Sequence, residues 1–195
     1  MDAFAYLPIA AIVNSTSFCI HGGISPHLDN IKKITKFIQR PIYSFDQNLL
    51  LTDLLWSDPS DENGHAFLEN PRGRGKLFNN IAAITFLKNN NLQRIIRAHE
   101  CVGNGIEFNF NDKCITVFSA SSYDRDLGNK CGIIKLFEAD DKVESIIFHP
   151  FRRLKKFDSL YFKVQMFNGS NLSKPILSHF NLKTVSNSRS VVDQE

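Results

Sequence analysis

The 195-residue chain is 43% hydrophobic, holds 17 Phe and carries a formal net charge of +3. That length and apolar content suit one domain with a sizeable core, and the charge is too small to mark a nucleic-acid binder. Four cysteines (Cys19, Cys101, Cys114, Cys131) form no C-x-x-C pair, which argues against a zinc cluster and for scattered buried thiols in a reducing compartment.

Residues 3–13 are apolar, but Asp2 is acidic, no Lys or Arg precedes the run, and Pro8 splits it. This is not the pattern of a signal peptide, and it is too short to span a bilayer. Residues 9–13 read as a strand, 14–17 as a turn and 18–20 as the partner strand. Met1 thus opens almost directly onto a core hairpin, and such strands need neighbours. Residues 26–40 read as a loop and short helix with Leu28, Ile31, Ile34, Phe37 and Ile38 on one side. Asp46 is placed to cap a helix running through Leu54 into Trp56-Ser57-Asp58-Pro59. Residues 57–74, rich in Pro, Gly, Asn and acid, read as a long loop of the kind that is often functional. Residues 76–88 read as an amphipathic helix with Leu77, Ile81, Ile84 and Leu87 inward, ended by three asparagines at 89–91.

The pattern then turns to β. Residues 93–98 read as a strand. Residues 105–110 and 114–119 read as a hairpin turning at 111–113, and 131–138 with 143–149 as another turning at 139–142. A hairpin, helices and then antiparallel strands predict layered α and β, an α/β (α+β) fold with sheets, not a helical bundle. Residues 1–152 form the expected domain. Residues 153–195 read as a polar, basic tail, disordered beyond about 168; the run Arg152-Arg153-Leu154-Lys155-Lys156 reads as a solvated strand exit. No internal repeat is visible.

Two histidines stand out. His21 ends an apolar run at the Gly22-Gly23 turn, and His99 ends a second run, Ile95-Ile96-Arg97-Ala98. Singly, each is more often structural. Together, at matched strand ends, they are what a metal site between sheet edges needs, because rigid strands hold ligands well and neutral imidazole is the commonest metal-binding side chain. Arg72 lies in the long loop and reads either as a surface ion pair or as a phosphate clamp, since guanidinium matches phosphate bidentately. Tyr123 follows a strand leading into a polar loop and reads locally as an ordinary amphipathic aromatic. His27 and His149 read as structural.

The ordered series FCIHGGISP (18–26), DLLWSDP (53–59), ENPRGRG (69–75), IIRAHECVGNGIEF (95–108) and ITVFSASSY (115–123) resembles the phosphoprotein phosphatase family of serine/threonine phosphatases, over roughly residues 2–148. The resemblance implies the C-terminal half of a metallophosphoesterase core, a two-sheet sandwich flanked by helices with two divalent metal ions (manganese, iron or zinc) at the sheet edges. It implies metal-ligand roles for His21 and His99, a phosphate-gripping role for Arg72, and a place for Tyr123 in the loop overhanging the site. Trp56 and Asp58 match the aromatic and acidic residues beside the cleft. It also implies phosphoprotein substrates, regulatory subunits as partners, and a cytoplasmic or nuclear location, with no nucleic-acid or membrane partner.

Departures from the family pattern are equally specific. Its motifs GDxHG, GDxVDRG and GNHE have no counterpart here, and with them go the bridging aspartate, further metal ligands, a second phosphate-binding arginine and the acid histidine. The overhanging loop has Ser121-Ser122 where the family has Pro-Asn, and Asp124 follows the tyrosine. Two imidazoles are fewer than the three protein ligands that even one catalytic zinc usually takes. The expectation is therefore weak metal binding, negligible phosphatase activity and poor solubility for this polypeptide alone. A non-catalytic phosphatase-like binding protein is the alternative.

Overall fold

Two short strands, β1 (Ala10–Val13) and β2 (Ser17–Ile20), pair antiparallel with Ala10 opposite Ile20. Asn14 and Ser15 between them both have positive φ (51° and 58°), and the Thr16 N–H donates to the Val13 carbonyl at 3.1 Å. That is a type I′ turn, whose twist matches the flanking strands. The computed structural model describes residues 2–150 apart from 46, 63, 124–127 and 139–141. The expected tail, 153–195, lies outside the described residues.

Residues 26–40 are a loop with one short helix, as the sequence reads. Only α1 (Lys32–Phe37) is helical, and it buries none of its own residues. Leu28 and Ile38, in the flanking turns, carry the burial instead, while Phe37 is half exposed. Helix α2 (Leu49–Trp56) starts where the Asn48 side chain accepts the Leu51 N–H at 3.0 Å; Asp46, expected as the cap, lies outside the described residues. Leu50, Leu51 and Leu54 on α2 enter the core.

The expected loop at 57–74 contains strands. β3 (Asp58–Pro59), β4 (Phe67–Glu69) and β5 (Lys76–Phe78) form a small sheet in the order β3-β5-β4, parallel then antiparallel. The helix expected over 76–88 accordingly begins later, as α3 (Asn80–Asn89). Its start is set by Asn79, whose side chain accepts the N–H groups of Ile81 at 3.0 Å and Ala82 at 3.2 Å. That start also turns the helix: Ala82, Ala83, Phe86 and Leu87 face the core, while Ile81 and Ile84 are exposed.

α3 returns the chain to the main sheet as β6 (Arg94–Arg97), which pairs parallel with β2. β7 (Ile106–Asn109) and β8 (Cys114–Val117) form a hairpin closed at Asn111 and Asp112, both with positive φ, and β8 pairs parallel with β6. The five-stranded order is β1-β2-β6-β8-β7. Its central strands are covered by α2 and α3, so Phe18, Ile95 and Cys114 are fully buried, with Phe18 and Phe86 ring centroids 5.1 Å apart. Burial pushes the Cys114 thiol up to about 12. Cys101, expected among the buried thiols, is exposed, because it sits in the loop after β6 and not on a strand. Among the described residues no helix is long and apolar enough to cross a membrane.

β9 (Cys131–Leu136) and β10 (Val143–Phe148) form a separate two-stranded antiparallel sheet. Ile133, Ile146, Ile147 and Phe148 remain exposed on it, and alternation along β10 puts Ile146 and Ile147 on opposite faces. Two strands alone are marginal in water, and among the described residues no further strand pairs with the outer edge of β10. Concentration-dependent self-association is therefore expected in sedimentation velocity, reduced by Ile147→Lys. Strict monomer behaviour of both proteins at every concentration would contradict this.

Candidate metal and phosphate site

His21 and His99 are brought together by the parallel register of β2 and β6. Cys19 lies opposite Ile96, and beyond the strand ends the Ala98 N–H donates to the His21 carbonyl at 3.0 Å. Straight strands would send Ala98 and His99 to opposite faces. A turn prevents it. His99 has φ 64°, and the Glu100 N–H donates back to the Ala98 carbonyl at 2.7 Å. This positive-φ γ-turn is rare, strained by about 1–3 kcal/mol, and it re-aims the ring. His99 Nδ1 then lies 3.2 Å from His21 Nε2.

The close approach after His21 depends on glycine. A Cβ at Gly22 would stand 2.4 Å from the Leu55 carbonyl carbon and 2.6 Å from the Trp56 nitrogen. Gly75 (φ 72°) presses on the same residue from another side, with a Cβ position 2.4 Å from the Trp56 carbonyl carbon. The two glycines seat the Trp56 backbone. Its indole packs edge-on against His99, centroids 5.1 Å apart, so the aromatic expected beside the cleft touches one of the two histidines.

Below the histidines lies a buried ionic cluster centred on Arg97, a residue inside the 95–108 motif that its position between apolar neighbours on β6 buries. Arg97 is 1% exposed. Its Nε donates to the Gly22 carbonyl at 2.6 Å, Nη1 to Glu100 at 2.9 Å, and Nη2 to the Ser57 carbonyl at 3.1 Å and to Asp58 Oδ1 at 2.7 Å. Four of its five N–H donors are thus satisfied by named partners. Asp58 is buried too: its Oδ2 accepts from Arg72 Nε at 2.8 Å and from Asn70 Nδ2 at 3.0 Å. Both Asp58 oxygens are taken, so it positions Arg72 and does not face solvent. Arg72 keeps a half-exposed guanidinium, with Nη2 3.7 Å from Glu100. Burial pushes Asp58 up, but the bonds from Asn70 and Arg72 and the charge of Arg97 outweigh it, and its pKa ends below the ordinary range.

The pKa of each histidine is lowered from the ordinary imidazole value. Burial is the largest cause for each; Arg97 adds to it at His21, and Arg97, His21 and Arg72 add to it at His99, against an opposing pull from Asp58. Neutral imidazole is the ligating form. Two nitrogens each about 2.0–2.1 Å from one ion at a near-tetrahedral angle are about 3.3 Å apart, close to the spacing of this pair. His99 Nε2 is buried with no hydrogen-bond partner among the described residues, whereas a ligating imidazole normally donates its other N–H. The 3.2 Å approach is equally that of a hydrogen bond between the two rings, and no group of three or more His, Cys, Asp or Glu among the described residues could hold a metal ion.

Tyr123 is placed differently. Its ring is exposed and packs edge-on against Phe118, centroids 5.1 Å apart, and its N–H donates to the buried Asn129 side chain at 2.9 Å. Among the described residues no hydrogen bond or ring contact joins it to His21, His99 or Arg72. Arg97 could have been found from sequence: a charged residue inside an apolar central strand must be paired. Glu100, Asn70 and Arg74 carried no comparable local signal.

Arg97→Met is expected to destabilise the fold by about 3–5 kcal/mol, because it strands buried Asp58. Arg72→Met should lose only about 1 kcal/mol, since its side chain is half exposed. Urea unfolding followed by Trp56 fluorescence compares them, and an equal or reversed order would contradict the cluster's hierarchy. In a carboxyl NMR titration Asp58 is expected below the ordinary aspartate range. Asp53, which burial raises against its 2.6 Å bond from Ser25, is expected above it.

Residues 1–103 match the calcineurin-like phosphoesterase family. The chain is 37% identical over 146 residues to a protein phosphatase 2A catalytic subunit of Dictyostelium discoideum, an alignment covering 73% of this chain and 44% of that one. Its structure resembles a protein serine/threonine phosphatase of Saccharomyces cerevisiae with similarity to human phosphatase PP5. That match has a TM-score of 0.68 and 28% identity, and covers 78% of this chain and 50% of the other. The chain spans about half the length of these relatives. A family match over more than half its residues, running through the elements that carry His21, Arg72 and His99, makes this chain a member of the calcineurin-like phosphoesterase family, on the phosphoprotein phosphatase side of it.

Proposed function

We propose that this chain furnishes the C-terminal half of the catalytic domain of a metal-dependent protein serine/threonine phosphatase. The carrying observation is the 3.2 Å approach of His21 Nε2 to His99 Nδ1. These nitrogens would hold one ion of a manganese, iron or zinc pair. Bound metal would supply charge stabilisation at phosphorus and an activated water. Arg72, fixed at its Nε edge by Asp58, presents its outer guanidinium edge to the equatorial oxygens of a phosphoserine or phosphothreonine. Trp56 holds the His99 ring in place and walls the site. Tyr123, on the loop after β8, would approach substrate from above. Phosphoprotein substrates and regulatory subunits follow from the relatives, and the free cysteines suit a cytoplasmic or nuclear setting.

Two neutral nitrogens give a cation pair no charge balance. The nearest carboxylates, Asp58 and Glu100, are already engaged by Arg97 and Arg72. Among the described residues no further ligand set stands beside the two histidines, and a complementary segment would supply the remaining ligands and the leaving-group acid. The chain alone is expected to show negligible manganese-dependent turnover of a phosphoserine peptide. Joined to the first half of the Dictyostelium relative's catalytic domain, it is expected to gain metal-dependent hydrolysis, lost in His21→Ala, His99→Ala and Arg72→Ala. Brisk turnover by the isolated chain, or joined activity indifferent to those three substitutions, would refute the proposal.

A further inference from the structure

Arg74 is the feature at the site that the ionic cluster does not absorb. Arg72 and Arg97 are matched against Asp58 and Glu100, two cations against two anions. Arg74, two residues beyond Arg72, has no hydrogen bond or ion pair among the described residues, and it is exposed. Its guanidinium carbon lies 4.8 Å from the Trp56 ring centroid and 5.9 Å from that of Phe45. Trp56 in turn packs on His99 at 5.1 Å. The cation is therefore two ring-steps from the histidine pair, standing on the aromatic wall of the site.

Its backbone is fixed on both sides. The Gly73 N–H donates to the Asn70 carbonyl at 2.9 Å, closing a turn, and Gly75 is wedged against the Trp56 backbone. Gly73 and Gly75, on either side of Arg74, both have positive φ (74° and 72°). A guanidinium stacked on two aromatic faces is oriented, and its N–H edge stays free to bind an anion.

We propose that Arg74 is a substrate-specificity residue that recognises an acidic side chain of the phosphoprotein, about two or three residues from the phosphorylated one. The inference rests on the phosphatase reading of the same site. An extended peptide with its phosphate at Arg72 and the histidine pair crosses the Trp56 wall within that length. A carboxylate or second phosphate there meets the uncompensated cation, while a basic neighbour is repelled. Substrate choice would thus be set partly by charge beside the phosphate and not only by the phosphate.

Trp56 is the sole tryptophan of the chain, so its fluorescence reads the site directly. Three peptides serve as probes for the full chain: a phosphoserine peptide with Asp two and three residues away, its Asn counterpart, and the unphosphorylated Asp peptide. Wild type is expected to bind the phosphorylated Asp peptide about threefold to fivefold more tightly than the Asn peptide. Arg74→Gln should abolish that ratio, Arg74→Lys should retain part of it, and high salt should erase it. Equal binding of the two phosphopeptides, or a ratio unchanged by Arg74→Gln, overturns the inference and leaves the phosphatase reading standing. Failure of every phosphopeptide to out-compete the unphosphorylated one also overturns the inference, while the phosphatase reading is decided by turnover of the joined protein.

Discussion

The site depends on a buried guanidinium. Arg97 ties the Gly22 carbonyl beside His21, the Ser57 carbonyl at the end of α2, Asp58 at the start of β3 and Glu100 beside His99. Those partners come from three stretches of chain that are well separated in sequence. A buried arginine that met only some of them would keep a large desolvation penalty, so the partners are selected together. The position of each histidine then follows from backbone that Arg97 already holds.

Electrostatics near the histidines divides into two zones. In the interior, two arginines and two carboxylates interlock, so the field they cast is short-ranged. At the surface, Arg72 keeps one open edge and Arg74 has no ion pair among the described residues, so two guanidinium edges face solvent. An anion arriving from solvent meets those guanidinium edges, while burial lowers the pKa of the two imidazoles. That separation suits a site meant to receive phosphate and metal side by side.

Most of the strands were legible because their signals are local. Apolar runs bounded by Asn, Asp and Gly turns place β1, β2 and β6 to β10 close to where they lie. The three-stranded sheet was not legible, since strands of two or three residues, Asp58–Pro59 among them, have no period to detect. The start of α3 was missed because the apolar spacing runs on through Leu77, and only the capping geometry of Asn79 divides strand from helix. At the site, the two histidines could be singled out as strand ends. Their approach could not be derived, because it needs both the β2–β6 register and the turned backbone at His99. Nor could the sequence tell whether Arg72 was paired: its partner Asp58 reads as an acidic residue beside the cleft until burial shows both its oxygens occupied.

The two facing imidazole nitrogens are separated by 78 positions along the chain. Between them run α1, α2, the small sheet and α3, so β6 pairs with β2 only across that long connection. No local hairpin can present that pair in advance. Any cation that prefers the joined rings to separate ones therefore adds its affinity to the stability of the whole crossover, and coordination and topological closure become a single thermodynamic event.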